Sequence, residues 1–376
     1  MKTQVSERRA SETLTTSGGR VTRATPPPLP QVRGRRTALL ISGFAIALVV
    51  VSIISAGSGQ LHVAPNEVLG SILHRIGIDA GTMPSHPRGD VVLWDVRFPR
   101  IFMAMRVGAS LGAAGAVMQG IFGNPLAEPA VIGVSSGAAV GACCVIVFGW
   151  TFFGSYTIAA AAFVTALIAT VLVYSLSRSQ GRTEVVTLVL MGIALNAMTA
   201  GLIAYLVFVG DTQAREQIVF WQLGSLNGSR WNEVGVVAPL VAIGLVGAMM
   251  LARRLDVLAL GDRAARHVGV NVERLRLVAI VMVVLLVASG VAFAGIIAFV
   301  GLIVPHVVRM IIGPAHRGLV PASALGGALV VLLADLFART AVGYAELPLG
   351  MLTALVGGPF FMWLLLKARK HAGGWA

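Results

Sequence analysis

Charged residues are scarce in this 376-residue chain: Asp, Glu, Lys and Arg make up 12%, whereas hydrophobic residues make up 56%. A soluble domain typically has about 25% charged residues. Apolar runs of about 20 residues follow one another, which is the length that crosses a bilayer as a helix. The short alternating segments typical of outer-membrane strands are missing. The composition therefore predicts an all-α, polytopic membrane protein and argues against a soluble domain.

Lysine is rarest of the charged residues, and occurs only as Lys2, Lys367 and Lys370. None of the three follows a GxxxxG sequence, so the chain has no Walker A loop to bind the phosphates of ATP. If ATP drives this protein, a separate subunit must bind the nucleotide.

Few side chains are candidates for chemistry. The two cysteines, Cys143 and Cys144, are adjacent in an apolar run, and this spacing suits neither a metal site nor a usual disulfide. "GVSSG" (133–137) matches the GxSxG pattern of serine hydrolases, but Ser135 would need an activating histidine, and His306 is the one mid-span candidate. Because 44 glycines make such matches frequent, we predict no catalytic residue and no metal site. A membrane hydrolase stays as a remote alternative.

Basic residues outnumber acidic ones, with a formal net charge of +13. Of the 29 Lys and Arg residues, the topology below places 21 inside and 8 outside. This is the positive-inside bias of membrane proteins, and no basic stripe with interleaved aromatic residues indicates nucleic-acid binding.

Hydropathy divides the chain into two parts. Residues 1–36 are polar and basic and predict a disordered cytoplasmic tail, and residues 37–370 predict a domain of ten transmembrane helices with both termini in the cytoplasm. Gly108 and Gly112 form a GxxxG motif that predicts close helix packing. The expected spans are 37–58, 99–121, 130–150, 155–177, 185–209, 234–252, 277–297, 298–312, 319–338 and 348–366.

A charged segment separates the sixth and seventh spans. It contains "LALGDRAARHVGVN" within a loop at about 254–274, and it predicts a short amphipathic helix at the cytoplasmic face. Such a helix either lies on the lipid surface or forms a docking surface for a cytoplasmic partner, and the spacing leaves both open.

Three arginines oppose the positive-inside bias. Arg97, Arg100 and Arg106 fall at the outer start of the second span, in "WDVRFPRIFMAMRVGAS". Arg97 and Arg100 are about one helical turn apart, and Arg339 is expected at the same face, four residues after Asp335 and paired with it. They either anchor lipid phosphates or bind carboxylates of a docking protein. Arg106 lies further in, and we expect it to bind a carbonyl or an acid within the bundle.

Seven segments of the chain carry a resemblance to a known family. In order and content they are similar to the permease subunits of bacterial ABC importers for iron–siderophores, haem and cobalamin, the type II importers of iron chelates. The segments are "RFPR" (97–100), "GAVMQGIFGNPLAEPAVIGVSSGAAVGA" (115–142), "FWQLGSLNGSRW" (220–231), "ALGDRAARHVGV" (259–270), "IAFVGLIVPHVVRMIIG" (297–313), "HRGLVPASALGGALVVLLADLFAR" (316–339) and "ELPLGMLTALVGGPFFMWLL" (346–365).

The resemblance implies an assembly in the bacterial cytoplasmic membrane. Two copies of a ten-span subunit would form a homodimer around a central pathway, surrounded by membrane lipid. Two cytoplasmic ATPase subunits would hold ATP and Mg, and a binding protein would dock from outside. The permease itself would bind no cofactor, perform no catalysis and contact no nucleic acid.

The resemblance also favours one interpretation of the charged loop. It implies that 259–270 is the coupling helix that fits a cleft in the ATPase. The matching positions are Gly261, Asp262, Ala265, Arg266 and Gly269.

At the outer face, the resemblance implies that Arg97, Arg100 and Arg339 pair with glutamates of the binding protein. One departure is the tripeptide "GII" at 295–297, where many relatives have Gly-Pro, which puts the kink between the seventh and eighth spans in doubt.

The cargo is the least determined property. The segment "GDTQAREQIVFWQLGSL" (210–226) looks slightly more like haem permeases, which often have Asp-x-Gln-x-Arg here. We therefore favour haem, with ferric siderophore or cobalamin as alternatives. An ion-coupled secondary carrier is a remote alternative, because ionisable residues near the middle of the spans are few.

Overall fold

The computed structural model describes residues 30–179, 182–343 and 345–371. Within these residues the fold is helical, apart from two short antiparallel strands, β1 (Arg178–Ser179) and β2 (Arg182–Thr183). In chain order the helices are α1 (Pro30–Gly57), α2 (Pro65–Arg75), α3 (Gly89–Val91), α4 (Phe98–Phe122), α5 (Val134–Phe148), α6 (Thr157–Leu176), α7 (Val185–Val209), α8 (Thr212–Leu223), α9 (Trp231–Leu258), α10 (Asp262–His267), α11 (Val272–Ala294), α12 (Val300–Ile312), α13 (His316–Thr340) and α14 (Leu349–His371).

The ten predicted spans are confirmed. Eight helical segments are long and apolar enough to cross a membrane, and the shorter apolar helices α5 and α12 complete the set. One of the eight runs from Gly89 to Phe122, because α3 and a π-helical turn at Val92–Arg97 continue directly into α4. The helices α2, α8 and α10 and the 3₁₀ turns at Pro129–Ile132 and Gly154–Tyr156 lie in the connecting segments.

Several helices extend beyond the predicted bounds. Helix α1 begins at Pro30, so residues 30–36 are helical rather than part of a disordered tail; residues 1–29 lie outside the described residues. Helices α9 and α11 shorten the charged loop to residues 259–271. Hydropathy marks only the part of a helix within the hydrocarbon, whereas backbone hydrogen bonding continues the helix past it into the charged interface.

Helix α4 forms the centre of the bundle. In its most apolar window 78% of residues are buried, against 6% for the peripheral α1. Gly108 and Gly112 allow the backbone of α4 to touch that of α13 at Gly327 and Ser323, where any added Cβ would collide with a carbonyl oxygen. The GxxxG motif therefore serves close packing, as predicted.

The helical path breaks between α11 and α12. Residues 295–299 are non-helical, and both Gly295 and Phe299 adopt the left-handed region, with φ of 69° and 66°. Phe299 is the one non-glycine residue with positive φ in the described chain, a conformation that costs about 1–2 kcal/mol. Its N–H donates to Glu128 Oε1 at 3.0 Å, which holds the break in place without the Gly-Pro sequence.

Candidate docking and coupling surfaces

A buried ion-pair network lies at the outer end of α4. Arg100 Nε donates to Asp335 Oδ1 at 2.8 Å, and its Nη1 donates to both carboxylate oxygens of Glu346 at 2.9 and 3.0 Å. Asp335 is fully buried, and Arg339 Nε lies 3.6 Å from its second oxygen, so the predicted i,i+4 pair is present. Two guanidinium groups thus compensate one buried carboxylate that would otherwise be strongly destabilising.

The other two arginines of this face bind the end of α1 and the segment that follows it. Arg97 donates to the carbonyl oxygens of Ala56 and Leu61, and Arg339 donates to that of Ser58 at 2.6 Å. Carbonyls at a helix C-terminus carry partial negative charge and attract cations. The structure therefore brings Arg97, Arg100 and Arg339 together, as the resemblance implies, but it buries most of each side chain and gives each one partners within the chain.

A cavity of about 730 Å³ opens beside this network, lined in part by Arg97, Arg100, Arg339 and Glu346. The three guanidinium groups carry one more charge than the two carboxylates of Asp335 and Glu346, so the formal net charge of the network is +1. The side chain of Glu346 is 37% exposed, whereas that of Asp335 is inaccessible. Glu346 is therefore the acid of this network that solvent or another protein can reach.

Arg106 is separate from the network. Its Nη1 donates to the carbonyl of Phe102 at 3.0 Å, and its guanidinium lies 5.4 Å from the centroid of the Phe102 ring. The predicted carbonyl partner is present, although it belongs to the same helix rather than to a neighbour.

The predicted amphipathic helix at the cytoplasmic face is α10. Gly261 and Gly269 flank it in left-handed conformations, with φ of 101° and 87°. Ala265 is fully buried against the bundle, whereas Leu260 and Val268 are 73% and 71% exposed. Ala265 thus packs α10 onto the bundle, while the apolar side chains of Leu260 and Val268 point outward next to its two ends.

Arg276 joins α10 to the turn between α6 and α7. Its Nη2 donates to Asp262 Oδ1 at 2.9 Å and its Nη1 to the carbonyl of Thr183 at 3.3 Å. Glu273 accepts the N–H of Thr183 at 2.9 Å and lies 3.8 Å from Arg266. Sequence reasoning identified Asp262 and Arg266 but missed Thr183, Glu273 and Arg276, although the last two fall in the charged run that it singled out.

The Asp-x-Gln-x-Arg pattern builds the corner between α7 and α8. Asp211 caps α8 by accepting the N–H of Ala214 at 2.7 Å. Arg215 Nε donates to the carbonyls of Val207 and Gly210, each at 3.0 Å. These residues terminate one helix and start the next, a role that does not depend on the cargo.

The hydrolase alternative would need Ser135 beside His306. The neighbour of Ser135, Ser136, donates to Asn196 Oδ1 at 2.6 Å, whereas His306 hydrogen-bonds the backbone at Pro125. Across the described residues no hydrogen bond joins Ser135 to His306, and no group of three or more His, Cys, Asp or Glu side chains is arranged to hold a metal ion.

The model of the FecCD transport family matches residues 47–367. The chain belongs to this family. The match runs from the second half of α1 into α14 and so includes all or part of each of the ten spans. The family assignment and the apolar helices agree: this is a multi-pass membrane permease of the ABC importer type.

Three curated relatives have similar identity and different named cargoes. The hemin transport system permease protein HmuU of Yersinia pestis is 39% identical over 286 residues, covering 75% of this chain and 85% of that protein. The cobalamin import system permease protein BtuC of Halobacterium salinarum is 41% identical and covers 75% of each chain. The Fe(3+)-citrate import system permease protein YfmE of Bacillus subtilis is 38% identical over 340 residues, covering 90% of this chain and 98% of that protein.

One solved structure shares both the fold and the sequence pattern. A protein described as a metal-chelate type ABC transporter in an inward-facing conformation superposes with a TM-score of 0.77 and 33% identity, covering 88% of this chain and 99% of that chain. The FecCD permease described here therefore has the type II importer fold.

Proposed function

We propose that this chain is the permease subunit of an ATP-driven importer that moves an iron chelate, with haem favoured, across the cytoplasmic membrane. Two copies form the pathway, two cytoplasmic ATPase subunits hold ATP and Mg, and an extracytoplasmic binding protein delivers the cargo. The observation that carries this proposal is α10, a helix outside the bundle that is bonded through Arg276 to a cytoplasmic turn between two spans.

The coupling role follows from the surroundings of α10. Gly261 and Gly269 let the chain turn sharply at either end, and the burial of Ala265 fixes one face on the bundle. Asp262 and Arg266 extend the contact to α11 through ion pairs with Arg276 and Glu273. A movement of α10 imposed by an ATPase is thereby passed to Thr183 and to the start of α7.

The outer arginines support a docking role in a modified form. Since Arg100 is already bonded to Glu346, a carboxylate of the binding protein must take the place of Glu346 or add to the excess positive charge of the network. The partial exposure of Glu346 favours such an exchange. Arg97 and Arg339 then contribute positive electrostatic potential from fixed positions beneath the surface.

The preference for haem rests on the pattern at 210–226 and on a hemin permease among the relatives. Relatives named for cobalamin and Fe(3+)-citrate have comparable identity, so siderophore-type and corrinoid cargoes stay as the alternatives. The helix-capping role of Asp211 and Arg215 serves any of these cargoes.

The absorbance of the cognate binding protein, purified with its cargo, tests this proposal. Haem gives a Soret band, a ferric siderophore gives a broad charge-transfer band, and a corrinoid gives its own visible spectrum. We expect the Soret band, together with release of haem into proteoliposomes that contain the permease and its ATPase. A siderophore or corrinoid spectrum would show that the cargo is not haem and would leave the importer assignment intact. Uptake without the ATPase would overturn the importer assignment itself.

A further inference from the structure

A groove runs along the outside of the bundle between α9 and α11. It encloses about 750 Å³, and its walls are almost entirely apolar. Val246 and Met250 on α9 are 56% and 75% exposed, and Val278 and Met282 line the opposite wall on α11. Gly247 leaves space at its floor, where Met282 packs closely against the backbone.

Two arginines stand at the cytoplasmic end of this groove. Arg254 lies near the end of α9 and Arg274 in the first turn of α11, and both line the groove and are exposed. Within the described chain neither guanidinium forms a hydrogen bond or an ion pair, in contrast to Arg276 two residues further on. Like charges therefore face one apolar channel without a compensating acid.

The dimensions of the groove match one membrane leaflet. Residues 242–254 of α9 line it over a rise of about 18 Å, and one leaflet of hydrocarbon is about 15 Å thick. The apolar part therefore lies at the depth of acyl chains, and the arginines lie at the depth of the cytoplasmic phosphates. Basic pockets between spans at this face suit anionic lipid headgroups.

We propose that this groove is a binding site for an anionic phospholipid. The phosphate lies between Arg254 and Arg274, and one acyl chain occupies the channel beside Val246 and Met250. Charge complementarity and the leaflet-length apolar walls select a lipid over a second copy of the chain or a soluble subunit. The site is independent of the cargo, and it places a lipid against both helices that flank the coupling helix α10.

The test is equilibrium binding of fluorescent phosphatidylglycerol to the purified full chain in detergent. We expect unlabelled phosphatidylglycerol to compete, phosphatidylcholine to compete less well and inorganic phosphate not to compete. Arg254→Gln with Arg274→Gln should weaken binding about tenfold or more, because each basic residue near a lipid headgroup contributes several-fold. Arg253→Gln with Arg317→Gln removes the same charge from exposed positions of the same face and should leave binding unchanged.

A second variant tests the acyl-chain part and guards against misfolding of the first. Val246→Trp fills the channel and keeps both arginines, so it should also weaken phosphatidylglycerol binding while the gel-filtration profile is unchanged. The proposal is overturned by any of three results. These are an equal loss of phosphatidylglycerol affinity in the Arg253/Arg317 control, competition by inorganic phosphate, and normal phosphatidylglycerol binding by Val246→Trp. A further test is thiol labelling of Met250→Cys. Labelling that is blocked by the ATPase or by a second copy of the chain, and not by lipid, would also overturn the proposal.

Discussion

The two faces of this permease use the same chemical groups in different surroundings. At the outer face, Arg100 pairs with Asp335, a carboxylate that is 0% exposed, and the pair joins α4 to α13. At the cytoplasmic face, Arg276 pairs with Asp262, whose side chain is 42% exposed, and the pair joins α10 to α11 and to the turn before α7. The outer network lies between packed spans, whereas the inner one lies between a surface helix and a turn.

This difference in burial separates a fixed link from a changeable one. Removing one partner of a buried ion pair costs about 3–5 kcal/mol, whereas an exposed pair contributes about 0–1 kcal/mol. In the Arg276–Asp262 pair the arginine is 7% exposed and only the carboxylate is solvated, so this pair can be rearranged at a lower cost than the fully buried one during a change between outward- and inward-open states. We infer that the Arg100–Asp335 pair of the outer network holds the spans together and that the inner network transmits movement.

The largest expected effect is that of Arg100→Leu. It leaves the carboxylate of Asp335 buried beside Arg339 alone, so we expect the free energy of unfolding to fall by about 3–5 kcal/mol. Thermal unfolding of the purified permease, followed by gel filtration, measures the loss.

The matched control for this variant is Arg100→Leu with Asp335→Leu. Because the double variant buries no uncompensated charge at position 335, it should recover most of the lost stability. A single variant as stable as the wild type would show that the Arg100–Asp335 pair is not the fixed link that we infer.

Arg276→Ala should have a smaller effect on stability and a larger one on transport. We expect the free energy of unfolding to fall by about 1–3 kcal/mol and the rate of ATP-driven uptake to fall about tenfold, because α10 loses the link to Thr183 that Arg276 provides and keeps only the longer one through Glu273. Uptake and ATP hydrolysis are measured together in proteoliposomes. ATP hydrolysis that continues while uptake stops shows that movement no longer passes from the ATPase to the spans. Equal losses of hydrolysis and uptake would instead point to failed assembly of the transporter.

Glu346→Gln tests the outer face as a docking surface. The outer network contains two carboxylates, and removing that of Glu346 raises the formal charge of the network. We therefore expect the affinity for the binding protein to rise a few-fold at low salt and to become more salt-dependent. Asp79→Asn makes the same charge change at a side chain that is 97% exposed and serves as the control. An unchanged or reduced affinity for Glu346→Gln alone would count against docking at this network.

The smallest expected effect is that of Arg106→Gln. The guanidinium contacts only the carbonyl and ring of Phe102, four residues earlier in the same helix, among the contacts of the described residues. We expect a change within about 0.5 kcal/mol in the free energy of unfolding and no change in uptake. A large loss would show that this arginine has a partner in the assembled transporter.

The spans were predictable because hydropathy acts locally. Span 185–209 has the bounds of α7, and the break near 295–297 occurs where the sequence departs from Gly-Pro. The helix ends were less predictable, since α1 and α9 continue through arginines that hydropathy counts as loop. Charge spacing also indicated the Asp335–Arg339 pair, which is local in the helix.

The contacts that distinguish the two faces were not predictable from one sequence. Arg100 meets Glu346 across 246 residues, Arg276 meets Thr183 across 93, and the N–H of Phe299 meets Glu128 across 171. Periodicity places a residue on a helix face but does not select its partner on another helix. The outer arginines were therefore predicted to share a face, while their burial and their partners on other helices emerged only from the packing of α1, α4 and α13.

The most direct test of this account is uptake by proteoliposomes that contain the permease, with its ATPase subunits and cargo-loaded binding protein. We predict uptake only when ATP is present on the side of the ATPase, and loss of that uptake in Arg276→Ala while the protein remains assembled. Uptake by the permease alone, driven by a proton or sodium gradient, would contradict the account.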